Sequence, residues 1–84
     1  MNKALKAAFE ALQKINAPVL EREDCKESFI ISAESNDNAY WADYYGEFAK
    51  FNDPYVCPEI VNILTRFGLY YEWESPGHLS AWVN

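Results

Sequence analysis

The chain has 84 residues and a mass of 9.7 kDa, enough for one small domain spanning residues 1–84. Half of its residues are hydrophobic and 17% are aromatic, which excludes a disordered or low-complexity chain. Thirteen acids oppose seven bases, for a net charge of −6. This balance argues against direct binding of nucleic acid, because phosphate contacts depend on Lys and Arg.

The sequence carries no signal for a membrane or for a metal. No apolar run approaches the roughly 20 residues of a membrane-spanning helix, and the N-terminus lacks the unbroken apolar stretch of a secretory signal. We therefore expect a cytoplasmic protein with no membrane partner. Cys25 and Cys57 are expected to be free thiols. With His78 as the single histidine, a four-ligand Cys/His zinc site cannot be assembled, and we predict neither a metal nor a cofactor.

Two segments have the apolar periodicity of amphipathic helices. Residues 3–15 place apolar side chains on one stripe, and Asn2 stands where it can cap the first turn. Residues 58–67 begin with Pro58, which suits the first helical position, and they end before Gly68. We predict a helix in each segment.

The remaining β-prone segments predict two antiparallel hairpins. The first pairs 28–34 with 39–45 around a Ser-Asn-Asp-Asn turn, and a helix over 38–50 is the alternative for its second half. The second pairs 69–74 with 78–83 around Ser-Pro-Gly. The predicted fold class is therefore α+β, with both helices packed on an antiparallel sheet.

Pro18 adds one positional prediction to this sheet. Any short strand over residues 17–20 is restricted by the proline to a sheet edge or to a strand start.

His78 is the one side chain whose unperturbed pKa lies near neutrality, so it is the natural candidate for acid–base chemistry. It is not accompanied by a nucleophile motif, a glycine-rich phosphate loop, a calcium loop or a zinc spacing. We predict a protein without enzymatic activity. A small ligand-binding domain or an enzyme using His78 is a minor alternative.

Aromatic side chains are concentrated between residues 40 and 55, where seven of the fourteen occur. A domain of this size has little core in which to bury them, and Tyr and Trp are enriched at binding hot spots. Six acids and a single lysine occupy residues 34–59. We predict that this segment binds a partner through Asp37, Trp41, Asp43, Tyr44, Tyr45, Glu47, Asp53 and Tyr55.

The expected function is a non-enzymatic, acidic interaction domain that binds a partner protein with a basic surface. One concrete version is an inhibitor encoded by a phage or mobile element, which mimics DNA and occupies the nucleic-acid channel of a host defence protein. The alternative is a structural or oligomerising module in which residues 78–83 form a sheet edge that pairs with another copy. The chain is expected to be a monomer or a homodimer.

Overall fold

The computed structural model describes residues 1–34, 38, 40–44 and 54–84. Its elements in chain order are α1 (Lys3–Lys14), β1 (Val19–Glu21), β2 (Ser28–Ser32), β3 (Ala42–Asp43), β4 (Tyr55–Val56), α2 (Pro58–Arg66), β5 (Leu69–Ser75) and β6 (His78–Val83). The predicted α+β class with two amphipathic helices and an antiparallel sheet is confirmed. Neither helix among the described residues is long and apolar enough to cross a membrane.

Four strands form one antiparallel sheet in the order β1–β2–β6–β5, and β3 pairs with β4 in a separate two-stranded sheet. The predicted hairpin of 69–74 with 78–83 is confirmed, with Tyr71 opposite Ala81 and Trp73 opposite Leu79. The pairing register then shifts between Trp73 and Ser75, so Glu74 occupies a β-bulge.

The predicted pairing of 28–34 with 39–45 needs correction. β2 lies between β1 and β6, and β3 pairs with β4 instead of β2. The first four residues of β2 are all buried, as is typical of a central strand with neighbours on both sides. The alternative of a helix over 38–50 fails at Ala42–Asp43, which are a strand; residues 35–37, 39 and 45–53 lie outside the described residues.

The position of the terminal strand in the sheet differs from the one that the oligomerising hypothesis predicts. The terminal strand β6 is central, between β2 and β5, so it is not the edge that the oligomerising hypothesis requires. Its middle residues Leu79, Ser80 and Ala81 are fully buried, because both faces and both edges of β6 are occupied. The outermost of the four described strands are β1 and β5, and the position of β1 agrees with the restriction placed by Pro18.

Both helices pack on the same face of the four-stranded sheet. Leu5, Phe9 and Leu12 of α1 join a core that includes Phe29 of β2, whose ring meets the Phe9 ring edge-on at 5.4 Å between centroids. The side-chain oxygen of Asn2 accepts a hydrogen bond from the Leu5 N–H at 2.8 Å and caps the helix, as predicted. We call this side of the sheet the helix face.

The opposite side, which we call the open face, carries its own cover of side chains. Arg22, just after β1, reaches across it to bind Glu74 of β5, and its guanidinium lies 5.5 Å from the centroid of the Trp82 ring. The Trp82 indole N–H donates to the Ser80 hydroxyl at 2.8 Å, which turns the ring back along β6. Ile30, which alternation places on this face, is consequently buried although no described helix packs there.

Candidate functional site

The structure describes half of the residues predicted to bind a partner. Asp37, Tyr45, Glu47 and Asp53 lie outside the described residues. The other four are half-buried, and they are Trp41, Asp43, Tyr44 and Tyr55. Their role in partner binding stays a prediction, and their packing is as follows.

The described aromatic rings of this segment connect it to the core and to β5. Trp41 and Tyr55 pack against the buried cluster. The Trp41 carbonyl accepts a hydrogen bond from the Cys57 N–H at 2.8 Å, which ties the segment to the start of α2. The Tyr44 ring meets the Trp73 ring edge-on, with 5.1 Å between centroids. These residues therefore combine a structural contact with a partly exposed ring.

Tyr40 is the exposed aromatic residue among those described in this segment. Its hydroxyl donates to the Glu59 carboxylate at 3.3 Å. The Cys57 thiol and the Glu59 carboxylate raise the pKa of Tyr40, because a nearby anion disfavours the phenolate. Burial and the same thiol raise the pKa of Tyr55. Both phenols are therefore neutral at physiological pH and can donate hydrogen bonds.

A second surface that combines acids and aromatics lies on β5, outside the segment that the sequence predicts to bind a partner. Tyr70 and Tyr71 are 42% and 39% exposed, and Glu72 and Glu74 are exposed beside them. Alternation along the strand places Tyr70 and Glu72 on the open face and Tyr71 on the helix face. We call these four residues the β5 surface.

The sequence held part of the signal for this surface. Glu72 and Glu74 are spaced as on one face of a half-exposed strand. Whether such a strand lies at an edge depends on where the terminal strand pairs, which is a long-range property. The position of β5 beyond the central strand β6 is therefore not encoded in the local sequence of β5.

Charge is unevenly distributed over the described surface. α1 exposes Lys3, Lys6 and Lys14 together with one acid, Glu10, on the side of the helix that points away from the sheet. β5 carries two acids and no base. The bases of α1 and the Glu72 carboxylate on the open face therefore lie on opposite sides of the molecule, while the other acid of β5, Glu74, is paired with Arg22.

His78 takes part in a chain of polar contacts at the β5–β6 turn. Its Nδ1 lies 2.9 Å from the Ser75 hydroxyl, and its Nε2 lies 2.8 Å from a Glu34 carboxylate oxygen. Hydroxyl, imidazole and carboxylate are the groups of a nucleophilic triad, but a working triad also needs oxyanion donors in a water-excluded site. The His78 and Glu34 side chains are 41% and 61% exposed. These contacts suit a structural role, in which His78 and Glu34 hold the β5–β6 turn against the end of β2.

A shallow groove lies between α1 and α2. Its floor is apolar, with Ala11, Ile15, Ile63 and Phe67. Its rim carries charges of both signs, which are Glu10, Lys14, Glu59 and Arg66. The charges of the groove therefore favour neither an anionic nor a cationic ligand.

Among the described residues, the thiols and acids are not grouped as a metal centre. Cys25 and Cys57 are both free thiols, the first half-buried and the second buried. Across residues 1–34, 38, 40–44 and 54–84, no three His, Cys, Asp or Glu side chains are grouped to hold a metal ion.

Known proteins offer no guide to these surfaces. Comparison of the chain with protein-family models, with curated proteins and with solved structures gave no match. Function must therefore be inferred from the chemistry of the surfaces themselves.

Proposed function

We propose that this chain is a non-enzymatic interaction domain that binds a basic surface of a partner protein through its β5 surface. The observation that supports this proposal is the coincidence of exposed tyrosines and carboxylates on one strand at the edge of the sheet. Tyrosine offers a large contact area with a polar end at a low cost in side-chain entropy. Carboxylates attract a partner of opposite charge and increase the rate of association.

The distribution of charge supports a defined orientation of approach. The lysines of α1 lie on the side of the molecule opposite the open face. A basic partner is therefore repelled from α1 and attracted towards Glu72, whereas Glu74 is already paired with Arg22. Because such steering acts over about one Debye length, roughly 10 Å at 0.1 M salt, it weakens as ionic strength rises.

The predicted partner-binding segment extends the same surface in this proposal. Tyr44 contacts Trp73 of β5, so the segment that follows β3 starts beside the β5 surface. The described Tyr44 ring would then add to the rings of β5.

A more specific form of the proposal is an inhibitor that mimics DNA. The net charge of −6 and the exposed carboxylates suit a protein that occupies the nucleic-acid channel of a host defence protein, as an inhibitor from a phage or mobile element would do. In this form the partner is a nucleic-acid-binding protein, and its DNA and this chain compete for one site.

The experiment is an affinity pull-down from a lysate of the source cell or its host, read by mass spectrometry. We compare wild type with a Tyr70→Ala/Glu72→Gln variant and with Glu10→Gln, which removes the same charge on α1. The expected result is a basic partner recovered in stoichiometric amount by wild type and Glu10→Gln. Recovery by the β5 variant should fall at least tenfold while its circular dichroism spectrum is unchanged.

Two further outcomes decide the rest. Displacement of duplex DNA from the partner supports the inhibitor, whereas simultaneous binding of DNA and this chain contradicts mimicry and leaves the interaction domain. Equal recovery by both variants, or recovery of this chain alone, contradicts the proposed function.

A further inference from the structure

Among the described residues, β5 pairs with β6 alone, so no described strand occupies its other edge. The opposite edge of the sheet, β1, has only three residues, whereas β5 has seven. β5 is thus the one edge in the described four-stranded sheet that is long enough to accept several main-chain hydrogen bonds.

The direction of the β5 backbone groups follows from two hydrogen bonds. The Asn84 N–H donates to the Gly68 carbonyl at 3.1 Å, and the Ser80 hydroxyl donates to the Glu72 carbonyl at 2.9 Å. In an antiparallel pair, hydrogen-bonded and non-hydrogen-bonded positions alternate. The backbone groups of Tyr70 and Glu72 therefore face β6. Those that face the outer edge, away from β6, belong to Leu69, Tyr71 and Trp73.

The side chains beside this edge differ between the two faces. The open face presents Tyr70 and Glu72, and the helix face presents Tyr71, with Trp73 half-buried next to it. A strand laid along the edge would have alternate residues on each face. One set would meet a carboxylate, and the other set would meet aromatic rings.

Charge opposes a second copy of this chain at the edge in the register centred on Glu72. Antiparallel pairing of two β5 strands about Glu72 would place two carboxylates opposite each other, which is destabilising. The bulge at Glu74 ends the regular part of the edge, and bulges and charges are devices by which natural sheets prevent self-association.

We propose that the edge of β5 binds an extended basic segment of the partner by strand addition. Lys or Arg at alternate positions lies beside Glu72 on the open face, and apolar residues between them lie beside Tyr71 on the helix face. Main-chain hydrogen bonds to the outward groups of Tyr71 and Trp73 hold the segment in register. This inference rests on the proposed function and specifies the form in which the partner presents its positive charge.

The first test uses a labelled nine-residue peptide of alternating Lys and Val, whose binding to the full chain is measured by fluorescence anisotropy. A peptide with the same residues arranged in two blocks is the control. We expect the alternating peptide to bind at least tenfold more tightly, because only its pattern matches the two faces of the edge.

The second test separates main-chain pairing from charge attraction. One version of the alternating peptide is N-methylated at its Val residues and another at its Lys residues. Only one set of amides can face β5, so one version should lose at least tenfold in affinity and the other should retain it. Loss with methylated Val indicates antiparallel addition, and loss with methylated Lys indicates parallel addition.

A charge reversal links the site to Glu72. The Glu72→Lys variant should lose the Lys–Val peptide and gain affinity for an alternating Glu–Val peptide. Glu10→Lys, which reverses a charge on α1, should keep the original preference.

The outcomes distinguish this inference from the proposed function. Equal binding of the alternating and block peptides, or equal effects of the two methylated sets, overturns strand addition. If the partner is still captured in a Glu72-dependent way, the proposed function survives and the partner uses a folded basic surface. If capture is also insensitive to the β5 variant, both fail.

Discussion

Arg22 connects the first strand of the sheet to the last. Its guanidinium binds Asp24 at 2.9 Å and also binds Glu74 on β5, and it lies over the Trp82 ring. The Arg22 side chain is only 11% exposed although its charge is at the surface. Its alkyl stem therefore covers apolar area of the open face, as long cationic side chains commonly do.

We predict that Arg22→Ala lowers the free energy of unfolding by about 1–2 kcal/mol, because it removes the packed stem, the cation–π contact and the ion pairs. Arg22→Met keeps most of the stem and should cost less. Urea unfolding followed by tryptophan fluorescence measures both. Equal losses for the two variants would show that the stem contributes nothing.

Asp24 gives a prediction about pH. The hydrogen bond from Arg22 holds the pKa of Asp24 below its ordinary value of 3.8. A lowered folded-state pKa means that the stabilisation is fully present above the unfolded value and is lost as pH falls through the folded value. Below about pH 4, wild type should therefore lose stability more steeply than Asp24→Asn. Parallel acid-unfolding curves for the two proteins would contradict the coupling.

Gly77 leaves the space in which Glu34 reaches His78. A Cβ on Gly77 would lie 2.8 Å from Cγ of Glu34, so the Glu34 side chain must move if alanine is introduced. We predict that Gly77→Ala costs less than about 1 kcal/mol, through the loss of the Glu34–His78 pair. The same substitution should be neutral in a Glu34→Ala background. A double-mutant cycle measures this coupling, and additive effects would exclude it.

At the scale of elements, both helices end on a residue in the left-handed region. Asn16 has φ 67° and follows α1, and Gly68 has φ 72° and follows α2. An added Cβ at Gly68 would meet no atom within 4 Å, so only the backbone conformation opposes a side chain there. We predict that Gly68→Ala costs about 1 kcal/mol and Gly68→Asn less. Thermal unfolding checks this, and a neutral Gly68→Ala would contradict it.

Helices were predictable here because their signals are local. Apolar spacing and end residues placed them at 3–15 and 58–67, within one residue at each end of Lys3–Lys14 and Pro58–Arg66. The β5–β6 hairpin was predictable for the same reason, since its turn joins neighbouring strands. The partners of β2 were not, because β2 pairs with β6, about fifty residues away, and a turn signal after β2 carries no information about that strand.

The candidate site was predictable only in its chemistry. Acids and aromatics were visible in the sequence, but exposure depends on packing that composition does not encode. Trp41 and Tyr55 look like binding residues and pack against the core, whereas Tyr70 and Tyr71 look like ordinary strand residues and are exposed at an edge. The residue type alone therefore does not distinguish an aromatic ring that stabilises the fold from one that is exposed to bind a partner.

At the scale of the whole molecule, the two thiols differ in how deeply they are buried. Cys25 is half-buried between β1 and β2, and Cys57 is 2% exposed in the core just before α2 begins. The carbonyl of Trp41, in the predicted partner-binding segment, accepts a hydrogen bond from the Cys57 N–H. Access to the Cys57 sulfur therefore requires a local opening of the packing around the start of α2.

We predict that a thiol reagent modifies Cys25 in the native protein. Cys57 should react about a hundredfold more slowly than Cys25, or more slowly still, because its sulfur is exposed only when the surrounding structure opens locally. Mass spectrometry of Cys25→Ser and Cys57→Ser variants assigns the two rates. If the β3–β4 segment and the β5 surface form one docking surface through the Tyr44–Trp73 contact, the alternating Lys–Val peptide should slow the Cys57 reaction further. It should leave the Cys25 rate unchanged. Equal slowing at both thiols would indicate global stabilisation alone, and similar rates in the free protein would contradict the burial of Cys57.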